Sequence, residues 1–301
     1  MTLLKLFTPA GVVPRAAPLR LAMRRLRGLG FEVELDDSAL ARRQRFGGDD
    51  ATRLAALHRL ADESPSIAMA TRGGYGLTRL LDGIRWRQLA RSVERGTRWV
   101  GHSDMTALQL GLLAHTGAGS WAGPMALEDF GRDDAAGGVD EVTRDCFVEA
   151  MRGELEAVGF RTEAGFDGLG VQGRLWGGNL TLLCSLLATP HWPVVKNGIL
   201  FVEDVNEHPY RVERMLLQLH QAGVLKQQRA VVLGAFSAWK PAPLDRGYTM
   251  RTAVEMMRSV ARTPILTRLP FGHVQPKVTL PVGRQVQVWV EGRNVLIGWG
   301  R

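Results

Sequence analysis

The chain is 301 residues long, 45% hydrophobic and 23% charged, with a net charge of +8 and two cysteines. That length holds one large domain or two ordinary ones around a sizeable core. No apolar run approaches the roughly 18 residues of a membrane-spanning helix, two distant cysteines make neither a zinc site nor a disulfide framework, and the scattered arginines form no dense basic run or aromatic platform for nucleic acid.

The N-terminal stretch MTLLKLFTPAGVVPRAAPLRLAMRRLRGLG has short apolar patches cut by Pro, Gly and Arg, without a continuous hydrophobic segment and a small-residue cleavage site. No signal peptide is read there, and the expectation is a cytoplasmic protein. LLKLFTP (3–9) is a predicted strand, APLRLAMRRLRGLG (17–30) a helix ending in Gly, and FEVELD (31–36) an alternating strand. DDATRLAALHRLADES (49–64) reads as a helix with an acidic first turn, SIAMAT (66–71) as a short apolar strand, and GLTRLLDGI (76–84) as the start of another helix. TRWVGHS (97–103) is then a strand, and MTALQLGLLAHTG (105–117) a helix apolar on most sides and therefore buried. Such alternation implies a mostly parallel sheet covered on both faces.

Residues 131–164 change character. GRDDAAGGVDEV is polar and Gly-rich, VTRDCFVEAMRGELEAVG follows as a connecting helix, and the segment is expected to link a domain at 1–130 to one at 165–301. Cys184, inside LTLLCSLLA, reads as a buried small hydrophobe. NGILFVEDVNEHPYRVERMLLQLHQAGVL (197–225) reads strand, loop, helix, with Val212, Met215, Leu216 and Leu219 on one face, Pro209 in the first turn and Gly223 as the stop. RAVVLGAFS (229–237) is an apolar strand, and RQVQVWVEGRNVLIGW (284–299) a hairpin turning at EGRN.

Four loop stretches carry chemistry. In GHSDMT (101–106), Ser103 or Asp104 suits a helix cap, yet a serine on a strand-to-helix turn also exposes its hydroxyl beside free backbone donors. TRGGYG (71–76) is a glycine turn at a strand end, without the Gly-Lys-Ser/Thr ending of a phosphate loop or the dinucleotide spacing. FVEDVNEHPY (201–210) sets Glu203, Asp204 and Glu207 just past a strand, where open α/β sheets place ligands. FGHVQPKVTLPVG (271–283) puts His273 in a Gly/Pro-bounded loop. Together they supply a hydroxyl, an imidazole to take its proton and a carboxylate to orient the imidazole. Met105 stands where the α/β-hydrolase elbow needs glycine, which argues against that fold. Among the three carboxylates, spacing alone does not choose; Glu203 directly follows the rigid run ILFV, and Glu207 suits the first turn of the next helix. No metal-ligand spacing appears, so no metal is expected.

TRGGYGLTRLL, VGHSDMTAL, WGGNLTLL (176–183), ILFVEDVNEHPYRVERMLLQL and GHVQPKVTLPVG, in this order, resemble the LD-carboxypeptidases, the muramoyltetrapeptide carboxypeptidase family. The resemblance implies an α/β protein with an N-terminal, mostly parallel flavodoxin-like sheet flanked by helices and a smaller β-rich C-terminal domain. It implies a cytoplasmic serine peptidase that releases terminal D-alanine from murein tetrapeptides in cell-wall recycling, as a homodimer. Carried over by motif, Ser103 is the nucleophile, Glu203 the orienting acid and His273 the base, with the N–H groups of Gly74 and Asp104 as the oxyanion hole. His102, where the family more often has an aromatic residue, and TPAG, where a serine often follows the proline, depart from the pattern. Two other readings are a self-immunity peptidase of the same family acting on peptide–nucleotide antibiotics, and a non-catalytic α/β ligand-binding protein.

Overall fold

In the computed structural model, which describes residues 2–300, the chain opens with β1 (Thr2–Phe7), α1 (Ala16–Gly28), β2 (Phe31–Leu35), α2 (Asp50–Glu63), β3 (Ile67–Ala70), α3 (Trp86–Glu94), β4 (Arg98–Gly101), α4 (Met105–Thr116) and β5 (Ser120–Ala122). The five strands are parallel in the order β2-β1-β3-β4-β5. This is the flavodoxin-like order, in which ligands collect at the strands' carboxyl ends near the reversal between β1 and β3.

Residues 76–84 depart from the expected helix and form two 3-10 turns, Leu77–Arg79 and Leu81–Gly83, ahead of α3. Gly76, at φ +156°, breaks the backbone before the first turn, and the buried Asp104 carboxylate takes the Leu77 N–H at 2.7 Å.

The chain continues through α5 (Glu141–Arg152), β6 (Ala157–Arg161), β7 (Gly170–Asn179), α6 (Leu180–Leu186), β8 (Gly198–Val205), α7 (Pro209–Gln221), β9 (Gln228–Ser237), α8 (Met250–Val260), β10 (Ile265–Leu266), β11 (Leu280–Val282), β12 (Gln285–Glu291) and β13 (Asn294–Gly298). A second sheet has the order β10-β9-β8-β7-β12-β13-β6. β7 to β10 are parallel, while the β12–β13 hairpin and β6 extend the sheet antiparallel. The expected apolar stripe of α7 is buried at Val212, Met215, Leu216 and Leu219.

Two features tie the sheets together. β11 leaves the second half and pairs antiparallel with β5, Leu280 opposite Ala122, so the first sheet ends on a C-terminal strand. α4 is buried on every side from Met105 to Leu113. Its apolar residues share one core with Trp176, Leu180 and Leu183 of the second half. A helix apolar all round needs cover on all sides, and both sheets supply it. Among the described residues no helix is long and apolar enough to cross a membrane.

Candidate active site

Ser103 sits between β4 and α4 with φ +60°. That is a left-handed conformation, costly for a residue with a β-carbon and typical of functional turns. Neither side chain caps the helix: Asp104 occupies the cap position without a side-chain cap bond, its carboxylate being turned to Leu77. Burial raises the Asp104 pKa to about 7, against hydrogen bonds from the Leu77 and Gly76 backbone that lower it.

The glycine turn lies over this elbow. A β-carbon on Gly73 would stand 2.7 Å from Ser103 Oγ and 3.5 Å from the Asp104 nitrogen. Gly74 adopts φ +96°, open to glycine at no steric cost. Among the described residues, the N–H groups of Gly74 and Asp104 have no acceptor in hydrogen-bond range. Two backbone donors on neighbouring turns are therefore unspent, the kind of group that can hold a developing oxyanion.

Glu203, fully buried near the end of β8, accepts from His273 Nδ1 at 2.8 Å. That bond places the proton on Nδ1 and leaves Nε2 as a lone-pair acceptor. Burial lowers the His273 pKa, but the Glu203 hydrogen bond and charge outweigh it, and the net shift is upward. Gly272, at φ +134°, makes the contact possible, because a β-carbon there would lie 3.0 Å from Glu203 Oε2.

Asn179 is a site residue that sequence reasoning missed. Its Nδ2 donates to Glu203 Oε1 at 3.2 Å and to Asp204 Oδ1 at 2.9 Å, while its backbone N–H donates to Thr106 Oγ1 at 3.0 Å. One residue thus joins the acid to the helix that follows Ser103. WGGN contained the signal: a β-carbon on Gly178 would strike Thr106, and one on Gly177 the Phe201 backbone. Asp204 turns to the start of α6, accepting from the Thr181 N–H and hydroxyl at 2.9 and 2.8 Å. Glu207 pairs with Arg211 one helical turn on and stays apart from His273.

His102 stacks edge-on against His273, ring centroids 4.9 Å apart. Lys277 Nζ donates to His102 Nε2 at 3.2 Å, so His102 carries its proton on Nδ1, which donates to the Gly123 carbonyl at 2.9 Å. Burial, helped by the Lys277 charge, holds the His102 pKa well below its ordinary value, so the ring is neutral. Lys277 is itself buried against Asp129, at 2.9 and 3.0 Å from its two oxygens. Beside this network lies a cavity of about 230 Å³ lined by His102, Glu128, Arg132, His273, Gln275 and Lys277, among others. Among the described residues no group of three or more His, Cys, Asp or Glu is placed to hold a metal ion.

Comparison with known proteins agrees with this architecture. Residues 4–123 match the LD-carboxypeptidase N-terminal domain and residues 172–288 the LD-carboxypeptidase C-terminal domain. A probable murein peptide carboxypeptidase of Bacillus subtilis is 29% identical over 296 residues, 96% of this chain and 91% of that protein. A murein tetrapeptide carboxypeptidase of Pseudomonas aeruginosa is 28% identical over 305 residues, 98% of this chain and 93% of that protein. The crystal structure of a muramoyltetrapeptide carboxypeptidase from Oxalobacter formigenes superposes with a TM-score of 0.90 at 39% identity, covering 100% of this chain and 99% of that one.

Proposed function

The chain belongs to the serine-type LD-carboxypeptidase family, and we propose that it removes the terminal D-alanine of murein tetrapeptides, with Ser103, Glu203 and His273 as its catalytic triad. The observation that carries this reading is the pairing of a left-handed Ser103 turn with a His273 whose Nδ1 is held by buried Glu203. Ser103 Oγ attacks the scissile carbonyl carbon as His273 Nε2 takes the hydroxyl proton, and the carbonyl oxygen becomes an oxyanion facing the Gly74 and Asp104 N–H groups. Collapse breaks the C–N bond. His273 returns its proton to the leaving amine, freeing D-alanine and leaving an acyl ester on Ser103. Water then attacks the ester, His273 again taking a proton and returning it to Ser103 Oγ as the carboxylic acid departs. Each N–H donor on the oxyanion is worth about 3–4 kcal/mol in systems of this type.

The proposal extends to a cytoplasmic homodimer acting in cell-wall recycling, for which the support is the family resemblance alone. The test is incubation of the purified chain with murein tetrapeptide and, in parallel, with an aminoacyl–nucleotide conjugate. Release of D-alanine from the first, well above turnover of the second, supports the reading. Preferential cleavage of the conjugate replaces it with a self-immunity peptidase, and no turnover of either rejects it.

A further inference from the structure

A carboxypeptidase must recognise a free carboxylate next to the bond it cuts, and the triad contains no cation to do so. We infer that Arg72 is the carboxylate-binding residue, receiving the α-carboxylate of the amino acid that is released; this rests on the reading just given.

Arg72 precedes Gly73, whose α-carbon faces Ser103 Oγ. Its guanidinium lies against Gly11, where a β-carbon would stand 3.4 Å from Nε and 3.5 Å from Cζ. On its other side Nε is 3.9 Å from Glu128 Oε1, and Glu128 lines the cavity that also holds His273. The guanidinium is thus packed on Gly11 beside the glycine turn, with Glu128, which lines the His273 cavity, on its other side. Because His273 protonates the departing amine, and the carboxylate is one carbon from that amine, this is the side on which the carboxylate must lie.

The guanidinium is also underused. Nη1 makes one long bond to the Val12 carbonyl at 3.3 Å, and Nε is buried without a hydrogen-bond acceptor. A buried donor left without an acceptor is costly and calls for a partner. Three other cations nearby are engaged: Lys277 by Asp129, Arg53 by Asp50 and the Pro9 carbonyl, and Arg132 by the Ala136 carbonyl and Gln275; Arg45 is exposed and lies over the Tyr75 ring. A planar guanidinium with free N–H groups suits two-point binding of a carboxylate.

Two measurements test this. The first compares a murein tetrapeptide with its C-terminal amide in the parent, Arg72→Gln, Arg72→Lys and the exposed control Arg45→Gln. The expected result is that the parent prefers the free acid by about 100-fold in kcat/KM, that Arg72→Gln loses this factor on the free acid through KM and not on the amide, that Arg72→Lys recovers part of it, and that Arg45→Gln matches the parent. Equal loss on acid and amide would assign Arg72 to shaping the glycine turn and overturn the inference, as would an unchanged preference. The second measurement does not need tetrapeptide turnover: protection of Ser103 from a fluorophosphonate by D-alanine but not by D-alaninamide, abolished in Arg72→Gln. If the parent labels at Ser103 and is protected in this way yet leaves the tetrapeptide intact, the substrate assignment fails and the carboxylate site stands. Equal protection by acid and amide in the parent overturns the site.

Discussion

Gly272 and Glu203 share one small volume: a β-carbon on the glycine would stand 3.1 Å from the glutamate's own Cβ and 3.0 Å from its Oε2. The absent side chain lets the acid approach His273, and the same glycine sits at φ +134°, which L side chains rarely adopt. Gly272→Ala is therefore expected to lower kcat by about 10- to 100-fold, since small displacements of a reacting group are costly. Soluble yield and melting temperature should fall less severely. Unchanged kcat in a folded Gly272→Ala protein would show that the spacing is not needed.

The upward shift of the His273 pKa, produced by Glu203 against the effect of burial, fixes the direction of the pH response. The base must be neutral to accept the serine proton, so kcat/KM should rise with pH through an inflection above the ordinary histidine value of 6.5. Glu203→Gln should lose about 10³- to 10⁴-fold in kcat, and the residual activity should inflect at lower pH. Glu207→Gln removes only a pair with Arg211 on α7, for about 0.3–0.5 kcal/mol, and should keep its turnover. A dead Glu207→Gln beside an active Glu203→Gln would reassign the acid.

Asp104 predicts a different pH effect, on stability. Its folded pKa of about 7, against the ordinary aspartate value of 3.8, means that the folded protein holds this proton more tightly than the unfolded chain. Its contribution is thus fully present below pH 3.8 and is lost as pH rises through about 7. Asp104→Asn keeps both the backbone N–H and a side-chain oxygen for Leu77. The variant should stay active, and its melting temperature should decline less than the parent's between pH 4 and pH 7. Parallel curves for the two proteins would contradict this assignment.

Lys277 and Asp129 form a buried ion pair beside His102, which stacks on His273, with side-chain exposures of 2% and 3%. Breaking such a pair from one side leaves a buried charge uncompensated, at a cost of about 3–5 kcal/mol. Lys277→Met should lose that order of stability in denaturant unfolding, and adding Asp129→Asn should restore part of it. If the double variant is no more stable than Lys277→Met, the loss does not come from the stranded carboxylate.

Much of the first sheet was legible in the sequence because strand alternation, as in FEVEL (31–35), and the largely apolar run of α4 follow one another in a clear strand–helix order. Residues 76–84 read as helix from their apolar spacing, whereas the backbone breaks at Gly76, φ +156°, and forms two 3-10 turns. β11 was not separable from the loop of His273, since three residues pairing with β5 carry no period of their own. The serine, acid and histidine could be singled out and joined by residue type and loop context, and Glu203 was favoured both by its place directly after ILFV and by the resemblance. Asn179, Lys277 and Asp129 have long-range partners and are visible only once the two halves are folded together.

The central claim is that Ser103 is the nucleophile of a D-alanine-releasing peptidase, and the most direct measurement is the rate of free D-alanine formation from murein tetrapeptide by the parent and by Ser103→Ala. Steady release by the parent is expected, with a loss on the order of 10⁴-fold or more in the variant and closely similar melting temperatures for the two proteins. Release by Ser103→Ala at close to the parent rate would contradict it.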